Sequence, residues 1–399
     1  MTKFFRKELK NGMIVVMEKR DLPVVSLCIA NKIGAGFEEQ AVKGISHLIE
    51  HLVFTGTKTR THEEISREIE KKGGILNAFT ANEVTAFWFK LPSEDLFAGL
   101  EILADILNNP LFAEEKFEKE KKVILEEIKM YHDDPSRWIY DNLMSNLYEK
   151  PFGDSITGSK ESVSAMKRDS VRNYFKRRYT AGNYAVVIVG NGDFDEICAY
   201  LEKNFQKGKV DLARPEIVKR NVESVEKREG IDQAHFIFGV HAPLLTDENY
   251  YALEVLDAYL ANGASSQLFL KIREEKGLAY TVSSSINSEK EYSFYSIYVG
   301  TMKEAVEEVK KIILAELDNI QKIGEKEVEA AKHRVIGLRK ISSEESIKVM
   351  TDLLFAELAG DSRTYYQHEQ NIRAVSLEQV KKVAAELTKR YSTAVIMPK

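Results

Sequence analysis

Gly44-Ile45-Ser46-His47-Leu48-Ile49-Glu50-His51-Leu52-Val53-Phe54 is the stretch on which the rest of the chain turns. Its apolar residues recur at helical spacing. Gly44 precedes the run and Gly56 follows it, so the expected helix is short and bounded. His47 and His51 stand four apart, which puts both imidazoles on one helix face. Zinc takes imidazole nitrogens at about 2.0–2.1 Å, and this spacing suits it. Glu50 lies one turn from His47 and beside His51. From there it reaches a water activated by the metal without ligating the metal itself. The order H-x-x-E-H inverts the commoner zinc-peptidase helix. An uncompensated Glu50 among Leu48, Ile49, Leu52 and Val53 would be costly, and a nearby metal removes that cost.

A third ligand is required, and Glu114–Tyr131 reads as the long helix that offers one. Val123, Ile124, Ile128 and Tyr131 share a face. Glu127 and Glu120 lie on that face or its margin, two turns apart. Glu126 instead neighbours Lys119, Lys122 and Lys129 on the solvated side. Glu127 is therefore the candidate ligand, with Glu120 supporting it or standing in for it. By spacing alone, an ordinary helix edge of exposed Glu–Lys pairs accounts for these residues equally well.

The bulk composition bounds the remaining choices. The chain has 399 residues, 44% of them hydrophobic, enough for two or three domains. A net charge of −5 implies no general attraction to nucleic acid or an anionic membrane. No uncharged apolar run approaches the roughly 18–20 residues needed to span a bilayer, and the N-terminus carries no secretory apolar segment. Cys28 and Cys198 are far apart in apolar contexts, which suits buried thiols in a reducing compartment. The expectation is a cytoplasmic protein with neither nucleic-acid nor membrane partners.

Along the chain, Phe4–Leu9 and Met13–Met17 flank Asn11-Gly12 as a hairpin, and Val24–Ile29 reads as a further strand. Glu63–Lys72 reads as a helix, Ile75–Thr80 and Thr85–Leu91 as strands, Leu96–Leu107 and Ser162–Arg178 as helical, and Ala185–Gly190 as a buried strand. Charged, aperiodic residues at about 206–223 read as a linker, dividing the chain into domains 1–212 and 213–399. The second half repeats the first. Leu103–Ile128 resembles Ile313–Leu338 at an offset of about 210, and Asn173–Val189 resembles Lys382–Ile396. Repeats this long mean duplicated domains. The second copy keeps no H-x-x-E-H; the zone read as its counterpart is Ser265–Tyr280.

These signals together resemble the pitrilysin/insulinase family of inverted-motif zinc peptidases, in the half-length branch that includes the mitochondrial processing peptidase subunits and their bacterial and archaeal relatives. The resemblance runs over nearly the whole chain, through the H-x-x-E-H helix, Gly73-Gly74-Ile75-Leu76-Asn77-Ala78-Phe79-Thr80, Glu120–Glu127, Pro151-Phe152-Gly153, Tyr179 with Asn183, and Ile272-Arg273-Glu274-Glu275-Lys276-Gly277-Leu278-Ala279-Tyr280. It implies an α+β chain of two homologous domains, each an antiparallel-rich sheet with flanking helices. The family places its third ligand about 76 residues after the second histidine, which is Glu127. It therefore implies one zinc per chain held by His47, His51 and Glu127. The implied catalytic residues are Glu50, Glu120, Arg273 and Tyr280, with Arg273 and Tyr280 acting on the substrate from the second half.

The implied activity is a zinc-dependent endopeptidase acting on unfolded peptides or oligopeptides, with Glu50 as general base. Substrate is expected as an extended strand along Asn77, Ala78, Phe79 and Thr80. Because this chain carries both the zinc motif and the Arg/Tyr element, a self-sufficient homodimer forming a closed chamber, or else a monomer, is expected over an obligate heterodimer. Two alternatives share the fold: a processing peptidase dedicated to one partner substrate, and a non-catalytic structural subunit. His2Glu sites also accept manganese or cobalt.

Overall fold

The computed structural model describes residues 3–208 and 216–399, and contains two sheets of like design. The first holds β1 (Lys3–Glu8), β2 (Ile14–Lys19), β3 (Val24–Asn31), β4 (Ile75–Thr80), β5 (Thr85–Pro92) and β6 (Tyr184–Gly190), in the order β1-β2-β6-β3-β5-β4. The second holds β7 (Glu223–Arg228), β8 (Ala234–His241), β9 (Ala279–Ser288), β10 (Ser293–Thr301) and β11 (Ser392–Pro398), in the order β7-β11-β8-β10-β9. Each sheet has one parallel pair, β2 with β6 and β7 with β11; its other pairs are antiparallel. Setting β2, β6, β3, β5 and β4 beside β7, β11, β8, β10 and β9 gives the same order twice. The α+β duplication implied by the repeats is thus present in the strands.

The helices follow the same plan. The first half carries α1 (Ile45–Val53), α2 (His62–Glu70), α3 (Leu96–Asn108), α4 (Glu114–Asp133), α5 (Pro135–Leu147), α6 (Lys160–Ala165), α7 (Arg168–Arg178) and α8 (Phe194–Asn204). The second carries α9 (Tyr250–Leu260), α10 (Val306–Asn319), α11 (Glu325–Ser342), α12 (Ser346–Ala359), α13 (Thr364–Ala374) and α14 (Leu377–Leu387). The expected Ser162–Arg178 helix is two helices, because Met166 and Lys167 take extended backbone between them. The counterpart of α1 is α9, which follows β8 as α1 follows β3. The Ser265–Tyr280 zone holds a π-helical turn over Phe269–Glu275 and the start of β9, the places of α2 and β4. Without its histidines, α9 offers only an apolar period, so the sequence did not single it out.

The chain forms two compact units that no single cut separates. One is Met1–Lys129, Ser155–Glu216 and Ser342–Ser362; the other is Met130–Asp154, Ile217–Ile341 and Arg363–Lys399. The linker expected over 206–223 falls partly on residues 209–215, outside the described residues. In the first unit, α12 lies on β3 and β6. Val25, Leu27, Ile29, Val186 and Ile188 point to the main core. By alternation, Ser26, Cys28, Val187 and Val189 point to the opposite face, where the Ser26 and Ser346 hydroxyls lie 2.9 Å apart. Arg6 also grips Glu357 of α12, at 2.8 and 2.9 Å. In the second unit, α5 lies on β8 and β11, and Tyr148, just beyond it, donates to the Ser293 carbonyl at 2.7 Å. The duplicated helices are therefore exchanged: each half covers one face of the other half's sheet. No helix among the described residues is long and apolar enough to cross a membrane.

The exchange has a direct test. A chain ended after residue 208 lacks α12 and leaves one wholly buried face of β3 and β6 in water. It is expected to show no cooperative thermal transition by near-UV circular dichroism; a sharp transition from that fragment would refute the exchange.

Candidate metal centre

Helix α1 begins at Gly44, whose φ of +94° is costly for other residues, and a Cβ there would meet the Thr157 carbonyl oxygen at 2.6 Å. The first-turn amides, which have no partner within the helix, are met by the Glu38 carboxylate. Gly44 N donates to Glu38 Oε2 at 2.8 Å and Ser46 N to Oε1 at 2.7 Å. Lys43 Nζ lies 3.6 Å from the same carboxylate and donates to the Ala35 carbonyl at 2.7 Å. Both side chains are buried. Burial pushes the Glu38 pKa up, against the charge of Lys43 and the two amides. The sequence reading missed this support; its only trace is an acid nine residues before His47.

Ile45, Leu48, Ile49, Leu52 and Val53 bury one side of α1 in the core. The other side carries His47, Glu50 and His51. Glu127 comes from α4, and one ligand atom from each of His47, His51 and Glu127 lies within 4.8 Å of the others. His47 Nε2 is 3.7 Å and His51 Nε2 3.6 Å from Glu127 Oε2. These separations exceed hydrogen bonds and match donors set around one small cation, since zinc holds N and O ligands at about 2.0–2.2 Å. On the far side of its ring, His51 Nδ1 meets Glu120 Oε2 at 3.3 Å. That contact fixes the ring with Nε2 towards Glu127, the arrangement that carboxylates give metal-bound histidines. The donor set thus fits the implied zinc. Glu126 is exposed and bonded to Lys129 at 2.6 Å.

Burial, and then the charge of His51, push the His47 pKa down to about 4 against the pull of Glu127, which keeps the imidazole in the neutral form that ligates. For His51, burial acts downward, but the Glu120 hydrogen bond and the charges of Glu127 and Glu50 outweigh it, so its pKa is raised. Burial raises the Glu50 pKa; the Thr80 hydroxyl and His51 oppose this, and Glu127 adds to it. A carboxylate moved upward towards neutrality is a better general base.

Thr80 donates to Glu50 Oε2 at 2.5 Å, which ties β4 to the donor helix. Among the described residues β4 is an edge strand, paired with β5 alone. Asn77 and Ala78 border a cleft of about 290 Å³ together with Glu50, His51, Phe54, His62 and Glu120. Asn77 Oδ1 accepts from the Ala78 amide at 2.8 Å. The Phe79 ring stacks 6.5 Å from Phe355 of α12 instead. His62 also lines the cleft, with its Nδ1 2.9 Å from the Phe54 carbonyl. In the other unit, the Arg273 guanidinium lies between the rings of Phe269, at 4.8 Å, and Tyr280, at 4.9 Å, and Tyr280 is 77% exposed.

Removing the Glu38 carboxylate takes a buried acceptor from two amides at the start of α1 and a negative charge from beside Lys43. Glu38→Ala is expected to cost about 3–5 kcal/mol in urea unfolding, the usual loss on breaking a buried pair. A change below about 1 kcal/mol would show that α1 does not depend on it.

Residues 14–160 match the family model described as Insulinase (Peptidase family M16), and residues 165–335 match Peptidase M16 inactive domain. The uncharacterized zinc protease YmxG of Bacillus subtilis is 33% identical over 98% of each chain. The uncharacterized zinc protease ML0855 of Mycobacterium leprae is 33% identical over 98% of this chain and 91% of its own. In fold, the chain is similar to a protease from Helicobacter pylori, with a TM-score of 0.93 at 21% identity and full coverage of both chains. It is also similar to a peptidase M16 inactive domain from Pseudomonas fluorescens, with a TM-score of 0.91 at 17% identity over 100% of this chain and 98% of that one. With a family model on each half and relatives matched nearly end to end, this chain belongs to the insulinase family, peptidase family M16.

Proposed function

We propose that the chain is a zinc-dependent endopeptidase acting on unfolded peptides or oligopeptides laid as an extended strand along β4. One observation carries the reading: His47 and His51 converge on Glu127 while Glu50, on the same helix, stands beside the cleft that β4 borders. A bound zinc supplies a Lewis acid for the scissile carbonyl and lowers the pKa of water. Glu50 takes the proton from the attacking water and delivers it to the leaving amine. Thr80 holds the Glu50 carboxylate in place for both transfers. Glu120 keeps the His51 ring oriented. The unpaired edge of β4 offers backbone groups to a peptide strand, a mode that favours extended, unfolded substrates. Roles for Tyr280, as donor to the developing oxyanion, and for Arg273, as holder of a substrate carbonyl or carboxylate, rest on the family resemblance. So does pairing of two copies into a closed chamber.

The first test is hydrolysis of oxidised insulin B chain by the purified protein, by the chelated protein, and after zinc is returned. Cleavage is expected to vanish and come back; cleavage that survives chelation would refute the zinc reading. Glu50→Gln is expected to keep zinc and lose about 10²–10⁴-fold in kcat. Activity within threefold of the parent would remove Glu50 from its role.

A further inference from the structure

The cleft beside the metal donors has a wall that neither zinc binding nor proton transfer uses. Lys116 and Lys119 of α4 line it, one turn apart and next to Glu120. Its two carboxylates are engaged within the protein, Glu50 by the Thr80 hydroxyl and Glu120 by the His51 ring. The lysines are engaged by nothing comparable: neither has a hydrogen-bond or ion-pair partner among the described residues. Phe54 and Ala78 add apolar surface to the same cleft, and the volume of about 290 Å³ is the scale of one or two residues. A short aliphatic stem ending in a carboxylate would lay its methylenes on Phe54 and Ala78 and its charge towards the two ammonium groups. A lysine or arginine there would bring a third positive charge to the two ammonium groups, beside carboxylates already engaged by Thr80 and His51.

We propose that this cleft selects substrates by charge, accepting a carboxylate close to the scissile bond, with Lys116 and Lys119 as its counter-charges. The inference rests on the peptidase reading above and adds a substrate class to it. The carboxylate comes either from an internal Asp or Glu side chain or from a free peptide C-terminus, since both present the same group. The lysines reach solvent, so their effect is modest and salt-sensitive: roughly 3- to 20-fold for the pair together.

The test uses the zinc-loaded full chain and ten-residue peptides of one neutral sequence. Glu, Gln or Lys is placed at each position in turn, and each peptide is made with a free and with an amidated C-terminus. Cleavage sites are read by mass spectrometry. Glu is expected to fix cleavage at a constant distance from itself and to raise kcat/KM over Lys by roughly 3- to 20-fold, less in high salt. A cleavage register that needs the free terminus identifies the terminal carboxylate as the source; one indifferent to amidation identifies the side chain. Lys116→Glu with Lys119→Glu is expected to reverse the order of Glu and Lys peptides. Lys116→Gln with Lys119→Gln is expected to level it, and serves if the reversal disturbs folding. Equal cleavage of all three series, or a preference unmoved by both variants, overturns the proposal and leaves the peptidase reading standing. If no peptide is cleaved, anisotropy binding to zinc-loaded Glu50→Gln separates the two. Tighter binding of Glu peptides that the lysine variants abolish supports the cleft while the hydrolytic reading falls. Equal binding overturns the cleft as well.

Discussion

The Glu38 carboxylate on the first turn of α1 is the contact from which the donor geometry follows. Three side chains of the candidate site, His47, Glu50 and His51, ride on one nine-residue helix, so a small rotation of that helix moves all three together. Glu38 takes two of the amides at its start and is itself held by Lys43, and both charges are buried. At the other end, Thr80 ties Glu50 to β4, and Glu120 ties His51 to α4. The donor helix is thus held at its start by the loop that carries Glu38 and in its later turns by β4 and α4, and α4 also brings Glu127.

Burial sorts the charges of the site into roles. The same desolvation that lowers His47 raises Glu50, because it disfavours whichever form is charged. His51 escapes because three carboxylates surround it. One neutral imidazole, one carboxylate moved upward and one ring steered by Glu120 are distinct states made from two residue types. In the second unit, α9 stands in the place of α1, and its acids are committed elsewhere. Glu254 meets His368 at 2.7 Å, and Asp257 accepts from the Tyr295 hydroxyl at 2.8 Å. Among the described residues, only the first unit brings three such donors together.

Much of this was legible in the sequence where one element decides the matter. Periodicity and turn residues gave the strands of the first half nearly to their ends, and the i,i+4 histidines gave the face of α1. Glu127 was legible only to a choice, because a helix period cannot tell an inward margin from a solvated one; the family spacing was needed to settle it. What stayed hidden depends on two elements meeting. Glu38 looks like one acid among many until the loop folds back on α1. The exchange of α5 and α12 leaves no local mark, since an amphipathic helix looks the same whichever sheet it covers. Phe79 alternates correctly for a strand, yet its ring goes to Phe355, 276 residues away in sequence.

The exchange bears on how the chain is made. All three residues placed to hold a metal ion lie before residue 128, early in synthesis. The helix that closes the remaining face of their sheet is Ser346–Ala359, near the end of the message. A ribosome must translate almost nine-tenths of the chain before the first unit can finish its core. Until then its finished strands keep an apolar face open, and the second unit, although its covering helix Pro135–Leu147 has long since emerged, waits longer still, for the strand Ser392–Pro398 that lies inside its sheet.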